Sequence, residues 1–232
     1  MLEYNYARYK LEAYELGAFP GPKAGEMAAD FTLHTMEGKE VRLADLKGKW
    51  VVLETGSYTC PMYVNNARSM NALKDKFPDV EFLVVYVREA HPGSRIGPHT
   101  GMENKTGLAR KTQAASKETR EFLIDDVAGT MHRAYGALPN LAYVINPEGR
   151  VVYRLDWSSP KMIEAFLRNR ETIDTADHRA IWGTPPWIMV PICLRGGWNA
   201  VWDLAIAMPP IIWAHLKADV ADILKRRSGK ES

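Results

Sequence analysis

Hydrophobic residues along this chain follow two periods, and the places where the period changes divide it into elements. Residues 31–34 and 40–43 alternate apolar and polar positions around TMEGKE, the signature of a short hairpin. WVVLET (50–55) and VEFLVVYV (80–87) are almost continuously apolar, which suits strands buried on both faces. Between them Ala67, Met70, Leu73 and Phe77 recur at helical spacing until Pro78 ends the pattern. Residues 92–104 hold three glycines and two prolines and read as a long loop. A polar helix is expected over about 105–120, supported by a charge pair between Lys117 and Glu121. FLID (122–125) reads as a short strand and 127–135 as a short helix. AYVIN and VVYRLDW flank NPEG, where Pro147 presets a turn and Gly149 supplies its permissive end, so an antiparallel hairpin is expected. Ser159 then offers a helix N-cap and Pro160 a first helical residue, with Met162, Phe166 and Leu167 inward.

This order of elements resembles a thioredoxin-like α/β fold with an N-terminal β-hairpin, a long loop plus helix insertion and a Trp-rich C-terminal extension. Three regions are expected: an N-terminal arm over 1–25, the thioredoxin-like domain over 26–174, and a helical extension over 175–232. The extension carries five of the seven tryptophans. Its run WNAVWDLAIAMPPIIWAHL (198–216) is interrupted by Asp203 and the Pro209-Pro210 pair, so no transmembrane segment is expected. A final helix with Ile212, Leu216, Val220 and Ile223 along one face could pack on the parent domain, form a homodimer interface rich in aromatic residues, or lie on a membrane surface.

Thirty basic residues against 28 acidic ones lack the basic footprint of a nucleic-acid binder, and nucleic acid is excluded as a partner. The first residues, MLEYNYARYKLEAYELGAF, are charged throughout and lack the apolar stretch of a secretory signal, so a cytoplasmic location is expected. Two cysteines 133 positions apart form neither a disulfide framework nor a CxxC pair nor a zinc site. His34, His132, His178 and His215 have no metal-like spacing and read as structural or solvated; no bound cofactor or metal is expected.

Cys60 stands where the strand at 50–55 hands over to a helix. Unpaired amides and the helix dipole at such a position favour a thiolate, and cysteines there ionise at roughly 3.5 to 7.5 instead of about 8.5. Pro61 fits the first helical position. Ser57 and Thr59 bring hydroxyls able to donate to the sulfur or to a substrate, and their polarity places the sulfur near the surface. Tyr63 occupies the second position of a would-be CxxC, so a thiol from elsewhere must complete any redox cycle. Glu89 and His91 follow the neighbouring strand and belong on the same rim, where open α/β sheets bind ligands, as a proton donor or base and the group that orients it. Pro139 precedes a strand, where this fold commonly sets a cis proline against the active cysteine; a trans turn proline is the alternative.

GSYTCP (56–61), VYVREAHPG (85–93), GPHTG (97–101) and YGALPNLAYVI (135–145) resemble, in order and spacing, the iodothyronine deiodinase family, thioredoxin-fold enzymes that remove iodine reductively with a selenocysteine. The resemblance covers about 50–155. It implies that Cys60 takes the selenocysteine position, that Ser57 and Thr59 match its hydroxyl neighbours, that Tyr86, Glu89 and His91 match the Y-x-x-E-A-H residues, and that His99 matches a second loop histidine. The family's acidic-Gly-Trp tripeptide is absent and the extension has no counterpart. Peroxiredoxins are also similar, with Ser57 three residues before Cys60, but Leu53 stands where their proline belongs. The expected function is a single-cysteine reductase of deiodinase-like type, acting on a small electrophile with an external thiol reductant such as thioredoxin or glutathione. A one-cysteine peroxidase and a non-enzymatic binding protein are the alternatives. Cys193, with apolar neighbours, is the candidate to resolve an oxidised Cys60.

Overall fold

The computed structural model describes residues 4–14, 19–172, 176–178 and 184–227. The apolar runs pair as an eight-stranded sheet. The hairpin strands β1 (Thr32–Thr35) and β2 (Glu40–Arg42) lead to the central strands β3 (Trp50–Gly56) and β4 (Val80–Tyr86), followed by β5 (Glu121–Ile124), β6 (Ala142–Ile145), β7 (Val151–Leu155) and β8 (Ala176–His178). Their spatial order is β2-β1-β5-β4-β3-β6-β7-β8. β3, β4 and β5 run parallel, while β6 and β1 flank them antiparallel. The two near-continuous apolar runs are therefore the centre of the sheet, covered on both faces as their composition requires. The fold is thioredoxin-like.

Helix α1 (Pro61–Lys76) buries Ala67, Met70 and Leu73 and stops before Pro78. With α4 (Pro160–Arg168), capped by Ser159 and burying Ile163, Phe166 and Leu167, it covers one face of the sheet over Val52, Phe82 and Val144. The other face, with Val51, Leu53, Leu83 and Tyr143, packs under Met131 of α3 (Thr130–Ala134) and under Tyr9 and Tyr14 of the N-terminal arm. Helix α2 (Met102–Ser116) starts three residues earlier than its polar pattern suggests. It ends at Lys117, whose φ of 50° is left-handed, so the expected helical pair with Glu121 does not form. Met162 is only partly buried against the core, where Ile163 takes the inward place.

Glu54 sits in the middle of β3, fully buried, and its ionic partner comes from 66 residues away: Arg120 Nη1 lies 2.6 Å from Glu54 Oε2. The same guanidinium donates Nε and Nη2 to the buried Glu118 at 2.9 and 2.6 Å. Tyr63 donates to Glu118 at 3.1 Å, and Asn140 to Glu54 at 3.0 Å. Burial alone would weaken Arg120's charge, but Glu54 and Glu118 more than offset it and raise its pKa. A charged residue is tolerated in a central strand only with such complete pairing.

Two helices complete the described chain, α5 (Pro186–Cys193) and α6 (Trp198–Arg227). Pro209 and Pro210 lie inside α6 without ending it. The carbonyls they free, on Ala205 and Ile206, belong to exposed residues, so solvent replaces the lost intrahelical bonds. The inner face of α6 buries Ala200, Leu204, Ala207 and Ile211 against the domain. The side chains of Leu216, Val220 and Ile223 lie outside the described residues.

Arg120→Met leaves two buried carboxylates without their cation and is expected to cost about 3–5 kcal/mol of stability. Urea denaturation measures the loss, with Lys49→Met, which breaks a pair on the surface, as the variant that hardly moves the midpoint.

Candidate functional site

The carboxyl ends of β3 and β4 continue into two loops that are stitched together. Val87 N–H donates to Gly56 O at 3.1 Å, and Ala90 N–H to Ser57 Oγ at 3.1 Å. Thr59 donates its amide and its hydroxyl to Glu89 Oε2 at 2.9 and 2.6 Å, while its Oγ1 accepts from His91 N–H at 3.0 Å. Tyr86 donates its hydroxyl to the other carboxylate oxygen, Glu89 Oε1. Thr59, Tyr86 and Glu89 thus bind one another, and Ser57 holds the Ala90 amide, which corrects the role that the Ser57 and Thr59 hydroxyls suggest in sequence. Gly56 is required where it stands, because a Cβ there would run into the Tyr63 ring as α1 begins.

The stitch brings Cys60 and His91 to one cavity of about 50 Å³, room for a few water molecules. Its walls come from four places: Tyr9 and Tyr14 from the arm, Pro139 and Trp157 from the domain, Met189 from α5, and Leu204 and Ile211 from α6. Pro139 is there as expected, but trans: the described residues contain no cis peptide bond. Cys60 is the N-cap residue of α1, also as expected, yet only 2% of its surface is exposed. Burial pushes its thiol up to about 12, against the opposing pull of the Tyr63 and Met62 amides at the helix start. Neither amide makes a full hydrogen bond to the sulfur. The surface-facing thiolate read from sequence is therefore a neutral, covered thiol in this closed form.

His91 stacks on Tyr9 with ring centroids 4.8 Å apart, and its buried Nδ1 has no hydrogen-bond partner. Burial lowers its pKa to about 4, partly countered by Asp203 of α6, so the imidazole is neutral at pH 7. His99 does not line the cavity. It is buried behind Glu89, with Nε2 3.2 Å from Val87 O and its ring 5.8 Å from that of Tyr86.

Several polar residues around the site carried no signal in the sequence. Arg88 is sandwiched by the rings of Tyr4, Tyr6 and Tyr14 at 4.7 to 4.9 Å and donates to Tyr4 O at 2.8 Å, tying the arm to the rim. Lys105 is buried, donates to Asp126 O at 2.8 Å, and has its pKa lowered to about 8 by burial despite nearby Asp125, Asp126 and Glu89. His132 links Tyr4 OH to Leu138 O, both at 2.7 Å. The tyrosine spacing of the arm was the one available hint.

The extension is anchored to the same rim. Arg195 donates to Tyr58 O at 2.9 Å and lies over the Tyr58 ring. Asn199 accepts from Ser94, and Arg95 N–H donates to Gly196 O at 2.8 Å. Arg8 of the arm forms an ion pair with Asp203. A Cβ on Gly196 would collide with His91 O, so the extension meets the loop backbone to backbone. Cys193 is free and buried, and burial, with a smaller contribution from Cys60, pushes its thiol up to about 12.

Residues 24–154, more than half of the chain, match the AhpC/TSA family. Thyroxine 5-deiodinase of Sus scrofa is 31% identical over 114 residues, covering 45% of this chain and 37% of that one. The Gallus gallus enzyme of the same name is 28% identical over 153 residues, covering 60% and 58%. The chain thus spans from just over a third to under two thirds of these relatives' lengths. Among solved structures, a protein proposed as the thiol:disulfide interchange protein DsbE of Chlorobium tepidum superposes with a TM-score of 0.52 at 22% identity, over 65% of this chain and 97% of that one. A hypothetical protein from Sinorhizobium meliloti gives 0.56 at 15%, over 70% and 92%. Both share the fold.

Thr59→Val keeps the shape of the stitch but removes the hydroxyl that serves Glu89 and His91, with an expected loss of about 1–3 kcal/mol and faster amide hydrogen exchange at His91. The depressed pKa values of His91 (about 4) and His132 (about 3) mean that the unfolded chain binds more protons below pH 6.5. Stability is then complete above pH 6.5 and declines as the pH falls toward 4; the slope of thermal midpoint against pH should be shallower in His132→Gln. At pH 8 iodoacetamide should alkylate Cys60 at least about 10-fold more slowly in the folded protein than in urea, as a raised thiol pKa requires.

Proposed function

Because the chain belongs to the AhpC/TSA family, we propose that it is a thiol-dependent oxidoreductase in which Cys60 removes a halogen from a small organic substrate. The observation that carries this reading is the pairing, in one mainly apolar cavity, of a helix-capping sulfur with an imidazole whose Nδ1 has no other partner. The similarity to thyroxine 5-deiodinases supports the choice of electrophile.

In this reaction neutral His91 accepts the Cys60 proton as the sulfur attacks the halogen. An S–halogen bond forms, the carbon–halogen bond breaks with its electron pair left on carbon, and the imidazolium protonates that carbon. One external thiol displaces halide to give a mixed disulfide. A second releases Cys60 and leaves as the oxidised disulfide, so two thiols supply the two electrons. Glu89 is a positioning residue: it holds Thr59, which holds the His91 backbone. An aromatic substrate requires the cover of arm and extension to open, and the opening also rehydrates the sulfur and lowers its pKa toward values usual for a helix start.

A second reading has one observation in its favour. At about 50 Å³ the cavity is nearer in size to hydrogen peroxide than to an aromatic ring. The same sulfur would then take one peroxide oxygen, become a sulfenic acid, and be reduced by two thiols with release of water.

Anaerobic turnover of an iodophenol with dithiothreitol, measured as iodide release beside hydrogen peroxide consumption, separates the two. Iodide release that is lost in Cys60→Ser and falls about 10²-fold or more in His91→Ala is the expected result. Peroxide consumption alone favours the second reading, and activity retained in Cys60→Ser overturns both. A Cys60–Cys193 disulfide in peroxide-treated protein would replace the external thiol by an internal one in the first reducing step.

A further inference from the structure

Between Thr184 and Trp213 every exposed residue is apolar. Trp187 is 76% exposed, Trp198 71% and Trp202 67%; Val190, Ile206, Ile212 and Trp213 are exposed with them. On α6, positions 198, 202, 206, 209 and 213 fall on one side of the helix, opposite the buried side of Ala200, Leu204, Ala207 and Ile211. The two charged residues of the segment turn inward, Arg195 to Tyr58 O and Asp203 to Arg8. A helix that is apolar on opposite sides belongs between two apolar phases. The domain supplies one of them.

We propose that the outer side of α5 and α6 seats on an anionic lipid surface, with the indoles at headgroup depth. Two observations select lipid over a second protein surface. A specific protein interface carries about one hydrogen bond per 100–200 Å² and a polar rim. This side offers no exposed polar side chain from 184 to 213, and the exposed indoles of Trp187, Trp198 and Trp202, with the carbonyls freed by Pro209 and Pro210, suit the wet, fluid headgroup layer, which demands no fixed geometry. The second observation is charge. The neutral segment is followed on the same helix by Lys217, Lys225, Arg226 and Arg227 against Asp219 and Asp222, an excess of two positive charges matched to anionic headgroups. No helix among the described residues is long and apolar enough to cross a membrane, so the helices lie on the surface.

The test uses the full-length protein with vesicles of phosphatidylcholine alone or with phosphatidylglycerol at 3:1. The proposal expects co-sedimentation with the mixed vesicles, a blue shift of tryptophan emission, and weakening by 0.5 M NaCl toward the level seen with phosphatidylcholine. The variant Trp187→Ser/Trp198→Ser/Trp202→Ser should partition at least about 10-fold more weakly while keeping its thermal midpoint and its rate of Cys60 alkylation. The positions are exposed, so folding is not at stake. Absence of binding to mixed vesicles overturns the proposal, as does partitioning unchanged in the triple variant. A homodimer by light scattering that the triple variant converts to monomer, without vesicle binding by the parent protein, assigns the surface to a second copy and also overturns it.

Discussion

The site depends on the stitch between Thr59 and Glu89. Two loops that leave adjacent parallel strands have no sheet ladder left to hold them, and every one of their buried amides needs a partner. Thr59 meets that need in both directions, donating twice to Glu89 and accepting from His91 N–H. Tyr86 and Ser57 close the remaining gaps. Cys60 and His91 are neighbours because Thr59 and Glu89 are bonded, and the cavity exists because the loops cannot splay.

The same arrangement sets two electrostatic effects against each other at the sulfur. The start of α1 favours negative charge, but a sulfur with 2% of its surface exposed loses far more from desolvation than the helix returns. Burial wins while the cover is closed. In the proposed reaction, reactivity would then be controlled by access rather than by a permanently ionised thiol, and the neutral imidazole would take the proton.

The strands, the hairpins and the place of Cys60 at a helix start were legible because they rest on local patterns: continuous apolar runs, turn residues, and a proline after a cysteine. The adjacency of Glu89, His91 and Cys60 followed from topology. What escaped was long-range and polar. Glu54 sits in an apolar run, and nothing local names Arg120, 66 residues on, as its partner. Arg88 and Lys105 look like solvated charges in any window of sequence, yet both are buried. The exposure expected of Cys60 failed for the same reason, because its cover is contributed by residues near position 10 and beyond 184. His99 matched a motif but stands behind the carboxylate, since the loop that carries it folds back on Val87.

Arg8 and Asp203 clasp across 195 positions, so the roof of the cavity is made from both ends of the chain. On the ribosome, strands β1 to β7 and helices α1 to α4 emerge before α5 and α6. The roof must wait for α6. Until α6 has followed, a nascent polypeptide holds Cys60 without the part of its cover that Leu204 and Ile211 supply.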